Sequence, residues 1–312
     1  MMEALMTLYI IALCYRATKA NAVELAECFE AVSHDQFTRL LQTSCCWPTR
    51  LWQHFAQRRL GGGGWLVLDD TVLDKFGERI FGVSWVYCSR LQRVVRGLNV
   101  VALIWTDGTR RVPIGIKVWR KGKQSKVVLA SQLLRWAKRL GLQPEYVLMD
   151  SWYSAKRLLK QIRTYDWHFV TRLKKNRSFR GRALAGQWPQ RFGHATGSLS
   201  GGLEVLLVKD GKRYLATSQL TLSVVQVKAL YAQRQQIEEF FKILRGQLRW
   251  QQCPARSRAA QSAHLHLCLM AYCVLEEEAS RQQTTIYRVR RQLFRQEVPR
   301  QSPLLEPFSL AA

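Results

Sequence analysis

Three acidic residues stand where carboxylates are able to hold metal ions. Asp70 lies in the apolar run WLVLDDTVL, Asp150 closes the apolar run YVLMD, and Glu238 lies in YAQRQQIEEFFKILR. A single Asp at a strand end is usually a turn or helix-cap residue, so the argument depends on all three together. Three carboxylates brought together repel one another unless a cation lies between them.

The chemistry that such a cluster serves is phosphoryl transfer. Hard oxygen ligands select Mg²⁺ or Mn²⁺. Two such ions about 3.5 to 4 Å apart activate the attacking oxygen and stabilise the leaving oxygen in an in-line displacement. The sequence therefore predicts a two-ion site, with Asp70, Asp150 and Glu238 as catalytic residues and metal ligands.

The segment YAQRQQIEEFFKILR predicts one amphipathic helix with a narrow polar stripe. At about 100° per residue, four polar residues project within roughly 60° of one another: Tyr231, Arg234, Glu238 and Arg245. A solvated face of ion pairs is the ordinary interpretation of such a stripe. If Glu238 instead joins the metal site, we expect the other three to bind phosphates beside it.

The elements that must position these residues change along the chain. Helical spacing and Ser33, a helix cap before HDQFTRLLQ, predict helices before the glycine run at 61–64. Runs rich in Val, Ile and Leu then alternate with helical segments, which predicts an α/β layer with a β-hairpin turning at Asp107-Gly108. A glycine-containing stretch with a hairpin turn at Asp210-Gly211 predicts a β-rich insertion.

These changes of pattern divide the chain into five predicted parts. They are a helical DNA-binding or dimerisation region (1–60), the first part of a catalytic core (61–175), a β-rich insertion (176–225), the second part of the core with the Glu238 helix (226–275) and a basic tail (276–312).

The charge of the protein indicates a polyanionic partner. Lys and Arg number 48 against 22 acids, which gives a formal net charge of +26. Nucleic acid is the favoured partner because each phosphate that Lys or Arg neutralises releases counterions. Ribosomal and membrane-surface proteins are equally basic, so charge alone leaves those classes open.

Two basic segments flank the acidic motifs. KVWRKGKQSK (117–126) and TRLKKNRSFRGR (171–182) combine cations with aromatic residues, as a groove for a nucleic-acid backbone does. The DNA-binding residues that we predict there are Lys121, Lys123, Arg172, Lys174 and Lys175. A solvated basic face explains each segment equally well.

Two aromatic residues directly follow the second acid. Trp152 and Tyr153 are able to stack on a displaced base or to pack against the floor of the site. Packing is the interpretation that we favour slightly.

The cysteines and histidines favour a reducing compartment and do not suggest a zinc site. Eight cysteines occur without metal-ligand spacing and are expected to be reduced in a cytosolic protein. His264 and His266 lie in an apolar helical stretch without paired cysteines, so zinc is disfavoured. No apolar run is long enough to predict a membrane span, and the N-terminus does not resemble a secretory signal.

Taken together, LVLDDT, VLMDSWY and the pattern Y-x2-R-x3-E-x6-[K/R] resemble the motifs of bacterial DDE transposases of the insertion-sequence-four superfamily, whose signature is Tyr, Arg, Glu, Lys. The resemblance covers roughly residues 65–275. Arg245 stands where the family has Lys; Arg still brings a positive charge to phosphate. Lys242 projects about 60° from Arg245 and is able to share its task.

The resemblance implies an RNase H-like mixed sheet flanked by helices, with a β-rich insertion before the Glu helix. It matches the first acid to Asp70, which precedes Thr71. Strand alternation sends Asp69 to the other sheet face, and Glu239 projects about 100° from Glu238. We therefore predict that neither Asp69 nor Glu239 is a ligand.

The function that the resemblance implies is cut-and-paste transposition. Metal-dependent hydrolysis at the transposon end would expose a 3′ hydroxyl, which would then attack target DNA. The expected partners are double-stranded DNA, both terminal inverted repeats and target, and a second subunit in the DNA complex, within the bacterial cytoplasm and nucleoid. A catalytically inactive DNA-binding relic and a nuclease without strand joining remain alternatives. Whether a segment has been lost upstream also stays open.

Overall fold

The computed structural model describes residues 2–16, 21–185, 187 and 191–308. The chain begins with helices α1 (Met2–Arg16), α2 (Ala22–Ala26), α3 (His34–Gln42) and α4 (Trp47–Arg50), followed by a π-helical turn (Leu51–Ala56) and a 3-10 turn (Gln57–Arg59). Ser33 caps α3 as predicted: its side chain accepts a hydrogen bond from the Gln36 backbone, and the Gln36 side chain accepts one in return.

Eleven strands form one sheet in the described part of the chain. They are β1 (Trp65–Asp74), β2 (Ser84–Cys88), β3 (Arg93–Thr106), β4 (Arg111–Trp119), β5 (Tyr146–Met149), β6 (His168–Leu173), β7 (Ser178–Phe179), β8 (Arg182–Ala183), β9 (Phe192–Leu199), β10 (Leu203–Asp210) and β11 (Arg213–Thr217). The order is β2-β3-β1-β5-β6-β11-β10-β9-β7-β8, with β4 also paired to β3.

The centre of this sheet contains the parallel strands. β1 pairs in parallel with β5, and β5 in parallel with β6. β3 runs antiparallel to both β1 and β4, and the β3–β4 hairpin turns at Asp107 and Gly108 as the sequence predicted. The fold is α/β: a large mixed sheet flanked by helices.

Helices cover both faces of the sheet. The remaining helices are α5 (Lys126–Arg139), α6 (Lys156–Thr164), α7 (Val224–Ala232), α8 (Gln235–Gln247), α9 (Arg258–Arg281) and α10 (Ile286–Leu293). β1 alternates between two cores. Val67 and Leu73 join the core formed with α8 and α9, whereas Leu66 and Leu68 join the core formed with α5 and α6.

The β-rich segment is continuous with the main sheet. β11 pairs antiparallel with β6, so strands β7 to β11 extend the sheet that contains β1 and β5. The predicted hairpin at Asp210-Gly211 is present between β10 and β11. The insertion is therefore predicted correctly in content, and it continues the sheet edge instead of standing apart.

The segment 231–245 is not one helix, contrary to the prediction. α7 ends at Ala232 and α8 begins at Gln235. Across the junction, backbone N–H groups bond to carbonyls three residues earlier: Arg234 N–H donates to the Tyr231 carbonyl, and Ile237 N–H to the Arg234 carbonyl. This spacing is the 3-10 geometry of a helix end.

The C-terminal region is folded where the structure describes it. α9 runs through the predicted boundary at 275 and 276, and α10 buries Ile286, Val289 and Leu293 in the core that also contains α1. The expected basic tail is thus a packed helical segment as far as residue 308. Within the described residues, no helix is both long and apolar enough to span a membrane.

Candidate active site

Two carboxylates stand side by side where the parallel strands end. The register pairs Leu68 of β1 with Met149 of β5, so Asp69 and Asp150 follow at equivalent positions on neighbouring strands. The carboxyl ends of parallel strands are where open α/β sheets bind ligands. The Asp150 carboxylate accepts a hydrogen bond of 2.8 Å from the Trp152 backbone, which fixes it in the loop after β5.

Arg234 joins these strands to the helix that carries the third acid. Its guanidinium lies 2.7 Å from Asp69 Oδ2, and its other terminal nitrogen donates to the Glu238 carboxylate. The two acids are on different elements, β1 and α8, so a single cation fixes the distance between them. Arg234 thus lies among the acids, where the sequence placed it only beside them.

Burial makes the strand acids reluctant to ionise. It raises the pKa of Asp69 to about 7, against the opposing effect of Arg234 and with the added repulsion of Asp150 and Asp70. Burial also raises the pKa of Asp150. Carboxyls in this condition gain when a cation is held between them.

Asp70 lies on the opposite face from Glu238, contrary to the prediction. Its Oδ2 accepts from Lys126 Nζ at 2.6 Å and from Asn99 Nδ2 at 3.0 Å. Its Oδ1 accepts from the Tyr153 hydroxyl at 2.6 Å. Alternation does separate Asp69 from Asp70, but α8 packs on the Asp69 side.

Glu239 and Lys242 form a separate contact on the exposed side of α8. The Tyr287 hydroxyl donates to Glu239 at 2.9 Å, and Lys242 Nζ lies 3.5 Å from the same carboxylate. Glu239 therefore has partners of its own, away from the strand acids.

Arg245 contacts the same strand face as Asp69, two residues further along β1. It donates to the Thr71 hydroxyl, and burial, together with the charge of Arg90, lowers its pKa. The Arg234 guanidinium lies 6.0 Å from the centre of the Tyr231 ring. Tyr231, Arg234 and Arg245 thus lie along the face that carries Asp69.

Comparison with known proteins identifies the family of this chain. The family model described as "Transposase DDE domain" matches residues 66–274. The chain belongs to the DDE transposase domain family. That match spans all three acids.

One solved structure supports the fold of this DDE transposase domain. The piggyBac transposase, in a synaptic complex with hairpin DNA, covers 93% of this chain and 69% of its own at 13% identity, with a TM-score of 0.57. At that identity the likeness shows the RNase H-like fold alone. The NurA nuclease from Sulfolobus solfataricus also matches, at 11% identity over 67% of this chain and 92% of its own. Its TM-score of 0.26 is too low to indicate a shared fold. No curated protein matches.

The carboxylates present here fit in part the metal site that is expected of a DDE transposase. Among the described residues, no group of three His, Cys, Asp or Glu side chains is close enough together to hold a metal ion. Asp69 and Asp150 supply hard oxygens whose raised pKa values favour a nearby cation. Glu238 is half exposed and is held by Arg234, so it completes the set only when its side chain turns from the guanidinium.

Trp152 and Tyr153 separate into different roles in the transposase domain. Tyr153 is fully buried and contacts Asp70, so packing is correct for this residue. Trp152 is 55% exposed, which contradicts packing. Lys126 and Lys174 lie 5.5 and 5.1 Å from the centre of its ring.

The predicted basic residues all lie at the surface around this end of the sheet. Those in the turn between β4 and α5 are Lys121 and Lys123, and those in and after β6 are Arg172, Lys174 and Lys175; all five are exposed. The positive charge of Arg172 lowers the pKa of Tyr231, in opposition to the larger effect of burial.

The residues that hold the start of α8 were not identified from the sequence. Gln236 Nε2 donates to the Gly108 carbonyl at 2.7 Å, and Arg111 donates to Gln236 Oε1 at 3.2 Å. Arg111 is held in turn by the buried Glu276 of α9. The turn between β3 and β4 therefore fixes the helix that carries Glu238, and no local pattern signals this.

Proposed function

We propose that this protein is a cut-and-paste DNA transposase of the insertion-sequence-four superfamily, in its Tyr-Arg-Glu-Lys group. It cleaves transposon ends and joins the 3′ ends to target DNA by metal-dependent phosphoryl transfer. The observation that carries the proposal is the neighbouring pair of Asp69 and Asp150, linked through Arg234 to Glu238.

The proposed ligands are Asp69, Asp150 and Glu238. Asp69 replaces Asp70 because it lies on the α8 side of β1, whereas three donors already occupy both oxygens of Asp70. Asp70 stays as the competing assignment, since it is the residue that the family motif indicated.

The chain's own groups have distinct tasks in this reaction. A bound pair of Mg²⁺ or Mn²⁺ ions, held by Asp69, Asp150 and Glu238, would supply charge stabilisation for the displacement. When the Arg234 guanidinium turns to a DNA phosphate, it releases the Glu238 carboxylate, which is then free to bind metal. Tyr231 and Arg245 then hold the same strand beside Asp69, which places the scissile phosphate for in-line attack.

Two displacements act on the transferred strand in the proposed reaction. In the first, water attacks the phosphorus at the transposon end, loses a proton, and expels a 3′ oxygen that becomes a hydroxyl. In the second, that hydroxyl attacks a target phosphodiester and expels a new 3′ hydroxyl. Each step breaks one P–O bond and forms another, so no external energy source is needed.

The proposed DNA surface surrounds the acids. It comprises Tyr231, Arg234, Arg245, Lys242, Lys121, Lys123, Arg172, Lys174 and Lys175. The partners are terminal inverted repeats and target DNA, bound by a homodimer in the bacterial cytoplasm and nucleoid.

The deciding experiment compares two adjacent glutamates. Purified wild type, Glu238→Ala and Glu239→Ala are incubated with the element's end DNA, target DNA and Mg²⁺. We expect cleaved and joined products from wild type and Glu239→Ala, and neither from Glu238→Ala. Glu239 is the matched control because it adjoins Glu238 but contacts Tyr287.

Other results select the alternatives. Cleavage without joining by the wild type would identify a nuclease on the same fold. Tight DNA binding without cleavage, in Mg²⁺ and in Mn²⁺, would identify a DNA-binding relic.

A further inference from the structure

A groove of about 410 Å³ lies at the far end of α8 from Glu238, between that helix and α10. Gly246 and Arg249 form its α8 side, and Tyr287, Arg291, Phe294 and Arg295 form its α10 side. None of these residues belongs to the acid cluster or to the two basic segments at 117–126 and 171–182, although the α10 side lies in the part predicted from sequence as a basic tail.

The groove is basic throughout. Among the described residues that line it, four are arginines and none is acidic. Arg291, in the last turn of α10, and Arg295, two residues beyond the end of that helix, are both exposed, and like charges held near one another repel. An anion bound between them would remove that repulsion.

Arg290 adds a buried charge behind the groove. It is 6% exposed and donates to the carbonyls of Cys14 (2.6 Å) and Gln247 (3.3 Å), at the ends of α1 and α8. Such contacts neutralise part of each helix dipole. They account for Arg290 as a structural residue, but they leave the charges of Arg291 and Arg295 unexplained.

Gly246 opens the groove to close approach. It lies in the last turn of α8, where glycine costs about 1 kcal/mol relative to alanine. A Cβ at this position would meet nothing within 4 Å, so internal packing does not require glycine. The left-handed residue near this helix end is Arg249, with φ of 52°, so Gly246 does not serve as the left-handed cap either. What the missing side chain provides is space at the surface.

The groove lies further along α8 from the candidate active site. Gly246 follows Glu238 by eight residues in this helix, which separates the two by about 12 Å along the axis and about 80° around it. Lys242 lies between them, and its Nζ is 5.6 Å from the centre of the Tyr287 ring, which lines the groove. A distance of about 12 Å corresponds to roughly three to four base pairs of duplex.

We propose that the groove between α8 and α10 binds the sugar-phosphate backbone of duplex DNA, next to the segment being cleaved at Glu238. Arg291 and Arg295 contact phosphates, and Gly246 lets the backbone approach the helix. The position of the cut rests on the proposed function, whereas duplex binding by the groove does not.

The test measures binding of a 30-base-pair duplex in EDTA over a range of salt concentrations. The variant Arg291→Ala/Arg295→Ala is compared with Arg157→Ala/Lys160→Ala, which removes the same charge from exposed residues of α6 on the other sheet face. Two lost phosphate contacts should reduce the slope of log K against log salt by about 2 and weaken binding about tenfold or more. The control should lose less than threefold.

A second variant separates binding from folding. Gly246→Gln places a side chain in the groove and replaces glycine by a better helix former. We expect it to weaken duplex binding while the melting temperature stays the same or rises.

Each result has a defined meaning. Unchanged salt slopes in the groove variants, or an equal loss in the α6 control, would overturn the groove proposal even if the wild type cleaves and joins DNA. A loss confined to the groove variants would support it even if the wild type never cleaves, and only the proposed function would then fail.

Discussion

Asp69 and Asp70 are consecutive residues of one strand, yet they lie in different surroundings. Asp69 faces α8 and contacts one cation, Arg234. Asp70 faces α5 and α6 and accepts hydrogen bonds from Lys126, Asn99 and Tyr153. Asp69 thus accepts one hydrogen bond on each oxygen, from Arg234 and from the Asp70 backbone, whereas Asp70 accepts three from side chains.

This difference indicates a division of labour across the sheet. A carboxylate whose oxygens are already satisfied acts as a support, because a metal ion would have to displace its donors. Asp70 binds Tyr153 in the loop that follows Asp150, so it holds that loop in place. The face covered by α8 would then perform the chemistry, and the face covered by α5 and α6 would hold its geometry.

The sharpest test of the comparison exchanges each acid for its amide. Asp69→Asn should reduce strand cleavage on the order of 10³-fold, since an amide is a poor metal ligand. Asp70→Asn should cost only about 10-fold to 100-fold, in the range of groups that support ligands. Single-turnover cleavage rates in Mg²⁺ give both numbers. The reverse order would show that Asp70 is the ligand.

Acidic pH should lower the free energy of unfolding through two buried histidines of α9, the helix that shares a core with α8. Burial lowers the pKa of His264 to about 3 and of His266 to about 4. At these two histidines the unfolded chain binds protons below about pH 6.5 that the folded chain does not, so their contribution to stability falls as pH drops below 6.5. The raised pKa of Asp69 opposes part of this loss between pH 7 and pH 4. Each group contributes about 1.4 kcal/mol per pH unit.

Urea unfolding between pH 7 and pH 4.5 measures this slope. His266→Gln should reduce it, whereas the exposed His34 provides the control, since His34→Asn should leave it unchanged. An equal slope in all three proteins would mean that other groups control the acid response.

Tyr153→Phe tests the supporting role of the other face. The substitution removes the hydroxyl that donates to Asp70 Oδ1, so a part-buried carboxylate oxygen loses a partner at a cost of about 1 to 3 kcal/mol. We expect a lower unfolding midpoint and cleavage reduced about tenfold. Tyr165→Phe, on the same side of the sheet, is the control. A Tyr153→Phe protein with wild-type cleavage would remove Asp70 from any supporting role.

The smallest predicted effect concerns the start of α8. Gln236→Ala breaks the link between Arg111 and the Gly108 carbonyl, so Glu238 and Arg234 lose part of their positioning. We expect a decrease of about threefold to tenfold in the cleavage rate, with unchanged duplex binding. Gln235→Ala, one residue earlier in α8, supplies the comparison. Loss of duplex binding in Gln236→Ala would indicate a direct DNA contact instead.

The local patterns in the sequence correctly predicted the strands that carry the acids and the hairpins at Asp107-Gly108 and Asp210-Gly211. The alternation of side chains along β1 correctly placed Asp69 and Asp70 on opposite faces of the sheet. It gave no information about which face α8 covers, because that depends on the packing of α8 and α9 against β1 and β3, more than 100 residues away in sequence.

The other departures also come from long-range contacts. The helical wheel for residues 231–245 assumed one straight helix, whereas the chain tightens between Ala232 and Gln235. The net charge indicated a polyanion partner but gave no sign of the groove beside α10, since its arginines come from two segments that meet only in the fold.

The pairing of β11 with β6 limits how this protein is able to change by gain or loss of modules. β6 pairs with β5, the strand that ends at Asp150, and its other edge is covered by β11 of the insertion. Excising the β-rich segment would leave a row of unsatisfied backbone groups two strands from β1, and exposed edges of this kind promote aggregation. A shortened descendant would therefore need a new partner for β6 before it could retain the acids in working order.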